Sequence, residues 1–182
     1  RGIPIEDLAQ RASFIEVAYL LVMGKLPNPA EFRHFSDLLT RNEMIHEDMK
    51  VHFQGFPSHS HPMAILSAMI NAAGCFCPEQ AEGSFEQQAA RLISQVRTIA
   101  AFSYRKSRGL PIIFPKPFYR YTANFLHMMF SEPYQDYEMD PEVIHALDVL
   151  FILHADHEQN CSTSTVRMVA SSHAKKRREG RT

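Results

Sequence analysis

Val149-Leu150-Phe151-Ile152-Leu153 runs straight into His154-Ala155-Asp156-His157-Glu158-Gln159-Asn160-Cys161-Ser162-Thr163-Ser164-Thr165-Val166-Arg167, and that junction decides how the chain folds and what it offers a ligand. Five consecutive apolar residues give way to two imidazoles, a set of carboxylate and amide side chains, and four hydroxyls. Upstream, Asp140-Pro141-Glu142 supplies a cap residue and a proline for a first helical turn. The spacing therefore predicts a buried helix over 141–155. A polar cluster at the end of a core helix suits recognition of a small anionic substrate. The apolar part holds the backbone, and the next turn presents donors.

Outward from that junction, helix start signals recur and strand signals barely occur. Asn28-Pro29-Ala30-Glu31 places a cap, a first-turn proline and a glutamate where a capping box needs it. Ser84-Phe85-Glu86-Gln87 opens a second long segment in the same way, and Gly24 followed by Pro27 closes the run from Ser13 to Met23. Helices are expected near 4–12, 13–24, 29–42, 46–54, 61–76, 84–107, 119–131, 141–155 and 162–173. The Pro111-Ile112-Ile113-Phe114-Pro115-Lys116-Pro117 stretch reads as extended connector, because its prolines forbid a helix interior. The expected class is all-α.

Bulk properties narrow the function. The 182 residues suffice for one domain burying roughly 70% of its unfolded surface. With 45% hydrophobic and 21% charged residues, the chain is globular. Its net charge of -1 conceals an asymmetry: Lys175, Lys176, Arg177, Arg178 and Arg181 against Glu179 give the last eight residues +4, leaving -5 on residues 1–174. No broad basic face remains for nucleic acid. No segment reaches the roughly 18 apolar residues of a membrane span. Three cysteines, Cys75, Cys77 and Cys161, do not form a disulfide framework, so an intracellular setting is expected.

Two helices carry more than ordinary patterning. Along 61–76, Ala64, Ser67, Ala68, Ala72 and Cys75 form a stripe of small residues, with Met63, Leu66 and Ile70 on another face. Along 84–107, Leu92, Ile93, Val96, Ile99, Ala100 and Ser103 make a wide apolar face. Internal packing and a subunit interface both fit such faces.

For the polar junction, three chemistries stand open. His154 and His157 share a helical face and could hold a metal with Asp156 or Glu158, although the two-histidine spacing of zinc proteases is absent. Both could be core histidines satisfied by backbone groups. Or an imidazole could donate to a substrate carboxylate, with Asp156 or Glu158 holding its second nitrogen. Ser162 beside His157 lacks the glycine-flanked elbow of a catalytic serine, so a helix cap at Cys161 or Ser162 is expected instead. His59-Ser60-His61-Pro62 reads as a loop capping the next helix, and Cys75-x-Cys77 as neither metal nor redox site.

The run from His154 to Arg167 resembles the substrate-binding segment of citrate synthases, the bacterial-type branch above all. Arg1-Gly2-Ile3-Pro4-Ile5-Glu6-Asp7-Leu8-Ala9 is similar to the family's RGYPIEDLA, and Ala18-Tyr19-Leu20-Leu21 with Gly24-Lys25-Leu26-Pro27 to AYLLL-GELP. His61-Pro62-Met63 matches its HPM helix start, and Ala123-Asn124-Phe125-Leu126-His127-Met128-Met129-Phe130 resembles GNFLNMMF. The resemblance runs in family order over nearly all of residues 1–171.

It implies condensation of oxaloacetate with acetyl-coenzyme A to give citrate, without a cofactor and without a metal. It implies a mostly helical fold whose large domain is only partly present in residues 1–174, with 175–182 a basic, disordered tail outside the family pattern. By position, His157 matches the histidine that donates to oxaloacetate, Asn160 lies in the same pocket, and His154 and Asp156 support it. The helices at 61–76 and 84–107 match elements of a homodimer interface. The family's GPxHGG segment, its catalytic aspartate and its carboxylate-binding arginines have no counterpart here. The chain is therefore expected to be a fragment, inactive alone and poorly soluble, because a helix such as 143–153 lacks cover. A 2-methylcitrate synthase fragment and a non-catalytic dimerisation fragment are the alternatives. The compartment would be the cytoplasm in a bacterium, or the mitochondrion or peroxisome in a eukaryote.

Overall fold

A computed structural model describes residues 2–76, 83–156 and 160–172. Among them run nine helices: α1 (Ile5–Arg11), α2 (Phe14–Met23), α3 (Pro29–Arg41), α4 (Met49–Gln54), α5 (Pro62–Phe76), α6 (Phe85–Ser107), α7 (Tyr121–Phe130), α8 (Pro141–Leu153) and α9 (Cys161–Ser171). No strand occurs among the described residues, only one isolated bridge between Glu132 and Gln135. None of these helices is long and apolar enough to cross a membrane. The all-α expectation holds.

Local chemistry sets the helix ends. Both expected capping boxes form: Asn28 Oδ1 accepts from the Ala30 and Glu31 amides at 2.9 Å, and Ser84 Oγ accepts from Gln87 N at 3.3 Å. A third, Ser13 with Glu16, has the same Ser-x-x-Glu signature and also opens its helix. Gly24 closes α2 at φ 84°, in the left-handed region that a side chain would resist. His61 caps α5, its Nδ1 accepting from Met63 N at 3.2 Å.

The 23-residue α6 is the axis, packed by α2, α3, α4, α5 and α7. One core cluster joins Met49 and Phe53 of α4, Ile65 and Met69 of α5, Ile99 and Phe102 of α6, and Met128 of α7. A second joins Ala18 and Tyr19 to Phe35, Leu39 and Ala90. Each fully buried large side chain contributes about 1.5–3 kcal/mol relative to exposure. The inward face of α6 differs from the apolar pattern: Leu92 is exposed, while Ser94, Arg97, Thr98 and Arg105 are buried. On α5, Ile65 and Met69 fill the core, Leu66 and Ile70 flank them, and Met63 stands exposed.

The proline-rich connector is neither helix nor strand, runs into a turn at 117–119, and is pinned at both ends. Arg105 donates from Nε to the Pro111 carbonyl and from Nη1 to Met129 O at 3.0 Å and Ser131 O at 2.8 Å. Asn124 closes the other end, accepting from Lys116 N at 3.0 Å and donating to Lys116 O at 2.9 Å.

Beneath this connector, His127 is buried, its Nδ1 2.7 Å from Ser131 Oγ and 3.7 Å from Asp136 Oδ1. Burial lowers its pKa below the ordinary 6.5; Lys116 adds to that, and Asp136 opposes it. A folded-state pKa below the unfolded one favours the neutral ring, so stability is full above about 6.5 and lost as pH falls through the lowered value. The urea midpoint is expected to drop between pH 7 and 5, and to drop less in His127→Gln.

Candidate functional site

The element that carries the polar junction is anchored before the junction begins. Asp140 Oδ1 accepts from Glu142 N at 2.8 Å and Pro141 occupies the first turn, so α8 starts where local chemistry dictates. One residue then ties α8 to the rest of the molecule. Asp148 Oδ2 accepts from Phe14 N at the start of α2 (2.8 Å), and its Oδ1 accepts from Thr122 Oγ1 of α7 (2.6 Å). A carboxylate at a helix N-terminus also meets the positive end of the macrodipole. Phe151 packs against Phe14, Tyr121 and Phe125 with ring centroids 5.3–6.4 Å apart, and Ile152 is buried. Asp148→Ala is expected to cost about 1.5–3 kcal/mol, the scale of hydrogen bonds to a charged acceptor. Chemical denaturation measures it, with Asp148→Asn intermediate.

The rest of α8 is less buried than the apolar run suggests. Leu150 and Leu153 are 49% and 46% exposed and Val143 is 40% exposed, so one side of the helix lies open. At its end His154 takes the C-cap, with φ -104° and ψ 5°. Its Nδ1 lies 2.8 Å from Leu150 O, and a carbonyl only accepts, so Nδ1 carries the proton. His154 is satisfied by backbone, as one reading allowed, but it is exposed rather than in the core. Ala155 and Asp156 then line a cavity of about 260 Å³ walled by Leu8, Val17, Leu20 and Ile152.

His157, with Glu158 and Gln159, lies outside the described residues. So do Cys77 and the basic tail at 175–182. The description resumes at Asn160, which caps α9: its Oδ1 accepts from Thr163 N at 2.8 Å. The cap is thus Asn160 and not Cys161 or Ser162, because an Asn side chain reaches the orphan amide three residues on and Cys161 already lies in the first turn. With Oδ1 engaged, Nδ2 is the donor Asn160 can offer a ligand. Every residue of α9 is exposed, including Val166, Met168 and Val169. No group of three or more His, Cys, Asp or Glu able to hold a metal occurs among the described residues.

Pattern reading missed a buried polar network. Glu43 Oε2 accepts from Arg97 Nη2 at 3.1 Å and from Asn124 Nδ2 at 2.9 Å. Thr98 Oγ1 donates to Glu43 O at 2.7 Å, and the Arg97 guanidinium lies over the Tyr121 ring at 4.5 Å. Burial pushes Glu43 up and Arg97 down from their ordinary values, each opposing the other's shift, and pushes Tyr121 up to about 12. No spacing rule links positions 43, 97 and 124. The only sequence signal was an arginine on the inward side of a long helix.

Against known proteins, residues 1–176 match the family described as citrate synthase, C-terminal domain. The chain is 47% identical over 178 residues to citrate synthase 1 of Mycobacterium tuberculosis, covering 96% of this chain and 41% of that protein. The structure resembles citrate synthase from Pyrobaculum aerophilum at 31% identity and TM-score 0.82, covering 94% of this chain and 44% of the other. It also resembles citrate synthase of Thermoplasma acidophilum in ternary complex with carboxymethyl coenzyme A and oxaloacetate, at 25% identity, TM-score 0.82 and the same coverage. The chain spans about two-fifths of the length of the relatives it matches.

Proposed function

Since this chain belongs to the citrate synthase family, we propose that it carries the oxaloacetate-recognition segment of an enzyme condensing oxaloacetate with acetyl-coenzyme A. The observation that supports the reading is that an anchored helix ends at His154 and another begins after Asn160 with an amide side chain at its cap. Oxaloacetate presents two carboxylates and a ketone, all acceptors. His157 donates to the ketone and Asn160 Nδ2 to an oxygen of the same substrate, while His154 and Asp156 support the helix end behind them. As the new carbon–carbon bond forms, the ketone oxygen becomes an alkoxide, and a positioned donor binds that charge more tightly than the starting carbonyl. The acyl donor is acetyl-coenzyme A, and no redox or metal group is needed for this chemistry.

Residues 1–182 alone do not turn over. α9 lies open to water along its whole length, and electrostatic stabilisation of a developing charge requires a closed, water-poor site. The experiment is a thiol-release assay on two proteins: the 182-residue chain, and a chimera in which residues 1–174 replace the matching stretch of the M. tuberculosis enzyme. Citrate formation is expected from the chimera only. An inactive but folded chimera sinks the assignment, and turnover by the short chain sinks the need for enclosure. Faster turnover with propionyl-coenzyme A than with acetyl-coenzyme A would move the reading to a 2-methylcitrate synthase.

A second reading concerns association. Ala64, Ser67, Ala68 and Cys75 are exposed on the side of α5 away from the core. Such a small-residue stripe lets another helix approach closely, and we read α5 and α6 as the homodimer surface. Sedimentation should give a dimer that Ala68→Arg converts to monomer. A monomeric parent chain would end this reading.

A further inference from the structure

α8 is held along one face and open along the other. Phe151 and Ile152 pack inward, while Val143, Leu150 and Leu153 are exposed. Apolar packing is non-directional, so it resists separation but fixes neither the roll of a helix nor its slide. Directional bonds do that. Among the described residues of α8, Asp148 is the one whose side chain hydrogen-bonds to another helix, and its two oxygens serve different partners. Oδ2 accepts from the Phe14 amide at 2.8 Å, and Oδ1 from the buried Thr122 Oγ1 at 2.6 Å. One carboxylate thus triangulates α8 against the first turns of α2 and α7.

Six residues, about 9 Å of helix, separate Asp148 from His154. The ladder is closed through that span: His154 N donates to Leu150 O at 3.1 Å and Ala155 N to Ile152 O at 3.2 Å. A roll at Asp148 is therefore passed on to the His154 end. At a side-chain radius of about 5–6 Å, a roll of about 10° displaces a group by about 1 Å. A misplacement of that size costs about 10²-fold where a reaction needs an aligned donor. We propose that Asp148 is a positioning residue for the condensation: its two bonds set the roll and register of α8, and so the place from which the His154–Arg167 run meets oxaloacetate. This role rests on the reading of that run as the oxaloacetate segment.

Kinetics of the chimera, measured well below each variant's unfolding midpoint, test it. Asp148→Ala should lower kcat by about 10–100-fold with KM for oxaloacetate within about threefold, because alignment matters more to the transition state than to ground-state binding. Asp148→Asn should recover kcat to within about threefold of the parent, since Oδ1 still accepts from Phe14 N and Nδ2 can donate to Thr122 Oγ1. Thr122→Val, which cuts the α7 tie alone, should fall between the two. Met49→Ala truncates a core cluster that holds no α8 residue and is the stability control, with kcat unchanged. In the 182-residue chain itself, the amide NMR shifts of Leu153 to Asp156 should move in Asp148→Ala and return in Asp148→Asn. Parental kcat in Asp148→Ala, Asn as damaging as Ala, a loss confined to KM, unmoved amides, or an equal kcat loss in Met49→Ala would each overturn the role. His157→Ala separates the two levels. If it costs activity and Asp148→Ala does not, the positioning role alone falls; if it costs nothing, the oxaloacetate reading falls and takes the role with it.

Discussion

In the chimera, His157→Ala lowers kcat/KM for citrate formation by about 10²–10⁴-fold, the usual loss when one positioned donor or acid is removed. On the proposed reading, the imidazole's bond to oxaloacetate strengthens as the ketone oxygen acquires charge. The loss therefore falls on kcat as well as on kcat/KM, whereas a residue that merely held ground-state substrate would raise KM alone. His154→Ala is the internal control. Its Nδ1 is engaged with the Leu150 carbonyl and its role is to close α8, so a change of a few-fold at most is expected. Comparable losses from both histidines would mean that the helix end, not a donated hydrogen bond, sets the rate. A loss smaller than tenfold at position 157 would remove that ring from the chemistry.

Glu43→Ala is expected to destabilise the fold by about 3–5 kcal/mol, the cost of leaving a buried charge without its partner. Arg97 has 3% of its side chain exposed and Glu43 7%, so water cannot take over the missing carboxylate. Asn124 loses an acceptor in the same substitution, and Asn124 also holds the connector at Lys116. Loosening there should extend to α7. Glu43→Ala combined with Arg97→Met should recover most of the loss, because burying two apolar groups avoids both desolvation penalties. Denaturant midpoints of the two singles and the double close that cycle. Additive losses would mean that the Glu43 side chain acts through Asn124 rather than through the ion pair.

How much of this was legible before any coordinates follows from the range of the forces involved. Asn28-Pro29-Ala30-Glu31 and Ser84-Phe85-Glu86-Gln87 announced their helices because a capping box closes within four residues. Gly24 marked an end because a positive φ is a property of one residue. The same locality explains the one cap placed wrongly: Asn160, Cys161 and Ser162 are adjacent, and only the helix phase decides which carries the capping side chain. The face of α6 was misread for the opposite reason. Leu92 fits an apolar stripe yet is 55% exposed, while Arg97 and Arg105, polar by type, are buried. Their charges are tolerated by Glu43 and by the carbonyls of Pro111, Met129 and Ser131, and no local pattern encodes those partners.

By itself, the order of residues determined that the fold is all-α, where most helices start and stop, and which run resembles the family's substrate-binding segment. Backbone propensity, capping and short motifs act over a turn or two, and they survive as text. Tertiary structure alone decided that Asp148 locks α8 to α2 and α7, and that Glu43 meets Arg97 and Asn124. Those pairings join positions from 26 to 134 residues apart. They exist because burial in a medium of low polarity makes each partner's solvation costly, and only the packed fold determines which groups share it.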